Sequence, residues 1–180
     1  MYIFIDVETN GIGTFRPPTQ IITQISFIKT DLDGNILQNF SKLIKGAKDV
    51  ADIKEVVFTV EQLNNEGISL EEALNVIKEA FQDNSVFISH NAEFDFSIIK
   101  RDAEKLGISI NIENFFCTMK KSENFCKILS SKNNQYKWPK LSELAEKLKI
   151  EYDSSRLHNS EYDIMILKDC FFKGKEEGVF

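Results

Sequence analysis

The first predicted strand constrains the fold most, because it is apolar and yet ends in two carboxylates. The run YIFIDV at residues 2–7 has the composition of a buried strand. Side chains alternate along a strand, so Asp6 and Glu8 share one face. Two adjacent negative charges at a buried end repel each other and resist desolvation, so they need a cation. Carboxylate oxygens favour Mg²⁺ or Mn²⁺, and a solvated strand end is the alternative interpretation.

The periodicity of the chain predicts an α/β fold. Strands are predicted at residues 2–7, 21–30, 35–44, 86–89 and 115–118. Helix starts are predicted at Thr59, Ser69, Asn91, Pro139 and Asn159 or Ser160, with helix ends at Gly107 and Gly174. Three strands come first and strands then alternate with helices, which is typical of an α/β domain on a mixed sheet.

The composition indicates one domain, since the chain has 180 residues and an apolar fraction of 42%. We expect no membrane span and no signal peptide, because long apolar runs and a basic leader are both missing. Three scattered cysteines without a C-x-x-C pair indicate free thiols and a cytoplasmic location. The net charge of −6 argues against a protein that grips long duplexes through backbone charge, although metal-binding acids contribute to that charge.

Two further carboxylates and one histidine are candidates for the same site. Asp95 follows the strand predicted at 86–89, and strand ends line the functional crevice of α/β sheets. His158 and Asp163 flank the start of the last helix, and a histidine there suits proton transfer near neutral pH. Helix-dipole and capping roles would explain each acid separately, but not the set. His90 ends a buried strand, so we expect a structural role for it.

Other reaction classes find little support in the sequence. The chain has no G-x-x-x-x-G-K-[ST] phosphate loop, no H-E-x-x-H zinc motif and no G-x-S-x-G nucleophile motif. Gly11-Ile12-Gly13 lacks the third glycine and the helix of a dinucleotide fingerprint. A glycosidase with paired carboxylates would leave His158 unexplained.

Four motifs in order resemble the DEDDh subgroup of the DnaQ-like 3′→5′ exonucleases. They are IDVETNG (5–11), HNAEFD (90–95), KWPKLSELAEKL (137–148) and H-x-x-x-x-D (158–163). The resemblance covers nearly the whole chain. It implies a ribonuclease H-like α/β fold, with a central mixed five-stranded sheet flanked by helices, and a single DEDDh exonuclease domain over residues 1–180.

The resemblance also implies a role for each motif residue. The implied metal ligands are Asp6, Glu8, Asp95 and Asp163. They would hold two divalent metal ions, Mg²⁺ or Mn²⁺, with His158 as the general base. The implied contacts to the terminal nucleotide come from Thr9, Asn10, Gly11, Ile12, Asn91 and Phe94. The sister subgroup has tyrosine four residues before the last acid, and Asn159 in this position fits the histidine subgroup.

The implied reaction is hydrolysis of phosphodiester bonds from the 3′ end of DNA or RNA, releasing nucleoside 5′-monophosphates. The implied partners are single-stranded or frayed 3′ ends, with no membrane partner. No long tail follows the last helix, so we expect no polymerase-tethering segment. The rival interpretation is a non-catalytic module of the same fold that binds a nucleic-acid end or a protein. The sequence decides neither the sugar preference nor the oligomeric state.

Three features depart from the family pattern or stand outside it. Ser160 and Tyr162 occupy positions where relatives usually carry small apolar residues. The segment Phe15–Thr19 differs from the usual loop of the family, and this difference could alter which nucleic-acid strand ends fit the site. Trp138 could stack on a base, but tryptophan is more often a core residue, so it is not counted among the substrate contacts.

Overall fold

One mixed sheet forms the centre of the protein. The computed structural model describes residues 1–11, 19–53, 55–81, 84–112 and 114–180. The strands are β1 (Tyr2–Thr9), β2 (Ile22–Thr30), β3 (Ile36–Leu43), β4 (Val86–Ser89) and β5 (Phe115–Cys117). Their order in the sheet is β3-β2-β1-β4-β5. Strand β1 pairs antiparallel with β2 and parallel with β4, which confirms the predicted mixed five-stranded sheet.

Helices follow the predicted capping signals in most places. The helices are α1 (Val60–Glu66), α2 (Leu70–Ala80), α3 (Ala92–Lys105), α4 (Thr118–Lys121), α5 (Glu123–Cys126), α6 (Leu141–Lys147) and α7 (Ser160–Glu176). The side chains of Thr59 and Ser69 accept hydrogen bonds from backbone N–H groups three residues later, as N-caps do. No described helix has the length and apolar character needed to cross a membrane.

Three helix signals differ in detail from the prediction. Pro139 was predicted in the first turn of a helix, but it lies before the N-cap residue of α6. Asn91 occupies the N-cap position of α3, but its side chain makes no capping hydrogen bond. Gly174 does not end α7, which continues to Glu176. A Cβ at Gly174 would lie 2.5 Å from the Phe180 ring. The glycine therefore permits close packing inside the helix, where the sequence alone indicates a stop signal.

The two faces of β1 pack against different helices. Ile3 and Ile5 belong to the core that includes residues of α2 and α3. The alternate residues Tyr2 and Phe4 pack instead against Phe171 of α7, with ring centroids 5.0 and 5.5 Å apart. Side-chain alternation therefore turns the later carboxylates of β1 toward α7 as well.

Phe171 is the central residue of an aromatic cluster between the sheet and α7. It is 4% exposed, and its ring also contacts Phe116 at 5.6 Å and Phe172 at 5.6 Å between centroids. Aromatic pairs with this tilted geometry stabilise a core beyond the area that they bury. The cluster therefore fixes how α7 lies across the sheet.

We expect Phe171→Ala to lower the free energy of unfolding by about 3–5 kcal/mol, because truncating a buried phenylalanine leaves a cavity. Urea denaturation followed by circular dichroism measures this change. Leu37→Ala is the matched control, because Leu37 is an exposed apolar residue, and its change should stay within about 0.5 kcal/mol. Equal effects of the two substitutions would contradict the packing role of Phe171.

Candidate active site

Three carboxylates from two distant segments meet at the carboxyl end of β1. Asp6 and Glu8 lie on the same face of that strand, and Asp163 lies in the first turn of α7. One oxygen from each residue can be chosen so that all lie within 4.8 Å of one another. We call these three residues the acidic triad. Such an arrangement offers hard oxygen ligands to a divalent cation.

Buried hydrogen bonds to β2 hold the start of α7. The Oγ atoms of Ser26 and Ser160 are 2.7 Å apart, and both residues are fully buried. The backbone N–H of Ser160 donates to Oε1 of Gln24 at 3.0 Å. Asn159 caps the helix by accepting a hydrogen bond from the backbone N–H of Glu161. These bonds fix the first turn of α7, and therefore Asp163, relative to the sheet.

Asp95 lies beside the acidic triad without belonging to it. It occupies the first turn of α3 and is 2% exposed. Its carboxylate accepts hydrogen bonds from the hydroxyl of Ser89 and from the backbone N–H of Val7. The negative charge of Asp95 raises the pKa of both Asp6 and Glu8. The structure therefore brings three of the four candidate acids directly together and places the fourth next to them.

The backbone conformation of His158 and its hydrogen bond to Asp163 fix the position of this residue. Its φ angle of 66° is in the left-handed region, which is unusual for a residue other than glycine. In this conformation its N–H donates to Oδ2 of Asp163 at 3.1 Å. The residue is half-buried. The histidine therefore precedes α7 in direct contact with one member of the acidic triad.

The four candidate carboxyls all bind protons more tightly than usual. Burial, followed by the charges of the other acids, raises the pKa of Asp6 well above its ordinary value. The same causes raise the pKa of Glu8 to about 8. Burial raises the pKa of Asp95 to about 7 and that of Asp163 to about 7. The ionised cluster therefore lacks compensating positive charge within the described part of the protein.

A divalent cation fits this cluster. Oδ1 of Asp163 is buried and has no hydrogen-bond partner among the described residues. An unpaired buried carboxylate oxygen is costly unless a ligand satisfies it. The donor set consists of carboxylate oxygens alone, which Mg²⁺ and Mn²⁺ prefer. The acidic triad is thus consistent with binding of a divalent metal ion.

The expected substrate contacts occupy varied environments. Thr9 is buried, and the side chain of Asn10 is occupied by the backbone, because it donates to the oxygen of Thr19 at 3.1 Å and accepts from the N–H of Ile21 at 3.0 Å. The carbonyl of Gly11 accepts from the amide of Gln20. Asn91 is exposed and Phe94 is half-buried against the core. Ile12 lies outside the described residues.

His90 connects the end of β4 with two other segments. Its ring nitrogens lie 3.0 Å from Oγ1 of Thr118 and 2.9 Å from the carbonyl oxygen of Pro139. Burial lowers the pKa of His90 to about 4, so the ring is neutral at physiological pH. Both contacts are those of the structural residue that we expected.

Polar residues in two strands orient groups of the site, a role that was not predicted from the sequence. Ser89 at the end of β4 bonds the carboxylate of Asp95, and Gln24 and Ser26 of β2 hold the start of α7. Their only signal in the sequence is a polar side chain within an apolar strand. That signal does not identify a partner more than 130 residues away, such as Ser160 for Ser26.

The chain resembles known proteins over nearly its full length. The family model RNase_T, described as "Exonuclease", matches residues 3–171. A DNA polymerase III PolC-type protein of Mycoplasmopsis pulmonis (strain UAB CTIP) is 31% identical over 186 residues, covering 99% of this chain and 12% of that protein. The 3′-5′ exonuclease DinG of Bacillus subtilis (strain 168) is 25% identical over 166 residues, covering 91% of this chain and 16% of that protein.

The fold matches that of a solved exonuclease. E. coli exonuclease I in complex with a dA16 oligonucleotide has a TM-score of 0.75 and 14% identity, covering 99% of this chain and 42% of that chain. The product-bound exonuclease I structure has a TM-score of 0.74 and 14% identity, covering 99% and 44%. The chain thus spans less than half of these structures and 12–16% of the two curated relatives.

We expect the metal-free protein to lose thermal stability as the pH rises from about 5 to 8, because its carboxyls must then ionise against one another. The folded pKa values of Glu8 and Asp163, about 8 and about 7, exceed the ordinary values of 4.5 and 3.8. Protonation therefore stabilises the fold fully below the ordinary values, and this contribution is lost as the pH passes the folded values. Melting temperatures measured with a chelator across this range test the slope.

Mg²⁺ or Mn²⁺ should restore the melting temperature at about pH 8, since bound cations stabilise the folded state. Asp163→Asn should raise the metal-free melting temperature at that pH and reduce the metal response. Asp33→Asn provides the matched control, because Asp33 is an exposed acid in the turn between β2 and β3. A metal-free melting temperature that rises over this pH range would contradict the cluster's electrostatics.

Proposed function

The chain belongs to the RNase T/DnaQ-like exonuclease family, and we propose that it is a single metal-dependent 3′→5′ exonuclease domain. It would hydrolyse phosphodiester bonds from the 3′ end of DNA or RNA and release nucleoside 5′-monophosphates. The observation that carries this proposal is the convergence of the acidic triad within 4.8 Å. A module that only binds would gain nothing from burying uncompensated carboxylates, which cost stability.

Two divalent ions, Mg²⁺ or Mn²⁺, would be held by four carboxylates. Asp6, Glu8 and Asp163 would supply direct carboxylate ligands. Asp95 would help to hold the ions through water, since its carboxylate already accepts hydrogen bonds from Ser89 and Val7. Oδ1 of Asp163 has no hydrogen-bond partner in the part of the chain that the structure describes, and the pKa values of all four carboxyls are raised, which supports this assignment.

The chain's own groups would move the proton and hold the substrate. When bound, a pair of divalent ions lowers the pKa of water and stabilises negative charge on a phosphate. His158 would accept the proton of the attacking water, with its backbone bond to Asp163 keeping it next to the triad. Thr9 and the backbone through Gly11 and Ile12, together with Asn91 and Phe94, would hold the terminal nucleotide.

Single-stranded nucleic acid is the proposed substrate class. The solved exonuclease I complexes that share this fold contain the oligonucleotides dA16 and dT13. A half-buried phenylalanine at position 94 offers an apolar surface to a terminal base, which every base can use because each has an aromatic face. These observations support strand ends rather than intact duplexes.

We expect the protein to shorten 5′-labelled single strands from their 3′ ends in the presence of Mg²⁺ or Mn²⁺, because the metal ions supply the charge that phosphodiester hydrolysis needs. Matched DNA and RNA strands resolved on a denaturing gel show whether the protein is an exonuclease, from which end it acts and which sugar it prefers. Chelator should abolish the ladder. Early release of the labelled 5′ nucleotide would contradict the proposed direction, and intact strands under all conditions would overturn the activity.

We expect His158→Ala to reduce kcat by about 10²–10⁴-fold, the usual effect of losing a positioned general base. Metal affinity, measured by calorimetry with Mn²⁺, should stay close to that of the parent. Asp6→Asn should weaken both metal binding and turnover, while Asp33→Asn should change neither. Parental activity in His158→Ala would overturn the role assigned to the histidine.

A further inference from the structure

The stretch from the start of β5 to the start of α6 exposes an unusual set of aromatic side chains. Among the described residues, the strongly exposed aromatics are Phe115, Phe125, Tyr136 and Trp138. Trp138 is 53% exposed, so the expectation of a core position for this residue is wrong. Large aromatic groups left in water over one short segment indicate an interaction surface.

Positive charge is concentrated in the same segment. Residues 118–140 contain six lysines and one glutamate, which gives a local charge of +5 in a chain whose net charge is −6. Lys121, Lys127 and Lys132 are exposed, and no ion pair of theirs occurs within the described ranges. Lysines interleaved with exposed aromatic residues are typical of surfaces that bind single-stranded nucleic acid. We call residues 118–140 the basic–aromatic segment.

Direct contacts connect this segment with the end of the sheet that carries the acids. The His90 ring, which follows β4, contacts Thr118 at one end of the segment and the Pro139 carbonyl at the other. Lys120 lies 5.2 Å from the centre of the Trp138 ring and pairs with Glu93, two residues before Asp95. Because β1 and β4 are parallel, their carboxyl ends lie side by side at the same end of the sheet.

A short hairpin presents Tyr136 and leads directly into Trp138. Leu129 and Tyr136 form an antiparallel bridge, and the backbone N–H of Lys137 donates to the carbonyl of Ile128 at 2.8 Å. The next residue, Trp138, is held by the Lys120 cation over its ring. The tryptophan is therefore placed by backbone bonds on one side and by a cation–π contact on the other, which leaves much of its ring open.

We propose that the basic–aromatic segment binds the part of a single strand that lies 5′ of the nucleotide being removed, with a base stacked on Trp138 and phosphates near the exposed lysines. This inference rests on the proposed function and extends it from the terminal nucleotide to the strand behind it. A polyanion is favoured over a protein partner because the segment is strongly positive while the remainder of the chain is negative. Stacking on an aromatic ring tolerates any base.

The test compares the hydrolysis of dinucleotides with that of single strands of about 12 nucleotides, which can cover a site of typical size. For the parent, we expect a lower KM for the long strand. Trp138→Ala should raise that KM by about tenfold, the effect of losing one stacked base, with kcat and the dinucleotide KM unchanged. Trp138→Phe should restore most of the affinity, because it keeps an aromatic face.

Charge reversal and fluorescence give independent measurements. Lys121→Glu should weaken binding of the long strand and make its affinity less dependent on salt. Lys78→Glu is the matched control, because Lys78 is an exposed lysine of α2 outside the basic–aromatic segment, and it should change neither property. Because the chain contains a single tryptophan, quenching of its fluorescence by the long strand in His158→Ala reports contact with Trp138 directly.

The outcomes separate this inference from the function on which it rests. Hydrolysis by the parent with equal KM values for short and long strands would overturn the strand-binding surface and leave the exonuclease proposal intact. The same holds if Trp138→Ala leaves the long-strand KM unchanged and the fluorescence is not quenched. If the parent hydrolyses no strand of either length with Mg²⁺ or Mn²⁺, the proposed function itself fails.

Discussion

Mutual repulsion among Asp6, Glu8 and Asp163 destabilises the folded state, and packing in the rest of the structure must offset it. Burial raises the pKa of each of these carboxyls, and neighbouring charges raise those of Asp6 and Glu8 further. The fold holds the carboxylates together through packing elsewhere, since the aromatic cluster around Phe171 fixes α7 across the sheet. Because packing and hydrogen bonds fix where these oxygens lie, the site has the character of a preorganised polar site.

The unusual residues of the last motif become intelligible from their contacts. Ser160, which we expected to depart from the family pattern, places its hydroxyl against that of Ser26 in the interior. Tyr162 accepts a hydrogen bond from the backbone N–H of Asp153 at 2.7 Å and lies 4.1 Å from the guanidinium of Arg156. These polar contacts hold the segment before α7. The orientation of His158 and Asp163 therefore depends on pairs of residues rather than on single positions.

Sequence reasoning succeeded where the information is local or periodic. Alternation along β1 correctly placed Asp6 and Glu8 on one face, and capping patterns at Thr59 and Ser69 located two helices. The meeting of Asp163 with β1 depends on strand order and helix docking, which no local pattern encodes. The residue pattern made Asp163 a candidate, and the family resemblance implied its role. Gly174 was misinterpreted because a glycine that ends a helix and one that permits close packing look alike until the partner ring is known.

The net charge of −6 does not describe the surface that a ligand would meet, because the charges of this protein are segregated. Carboxylates converge where divalent ions would neutralise them, whereas residues 118–140 carry an excess of five positive charges. At physiological ionic strength, exposed charges act over about 8 Å, so a bound strand senses the nearby lysines rather than the average of −6. Under the proposed function, a nucleic-acid strand would therefore meet two different environments: metal-compensated acids at the bond to be cleaved, and lysines along the strand behind it. A negative chain can thus hold a nucleic-acid strand when its acids are placed where metal ions cover them.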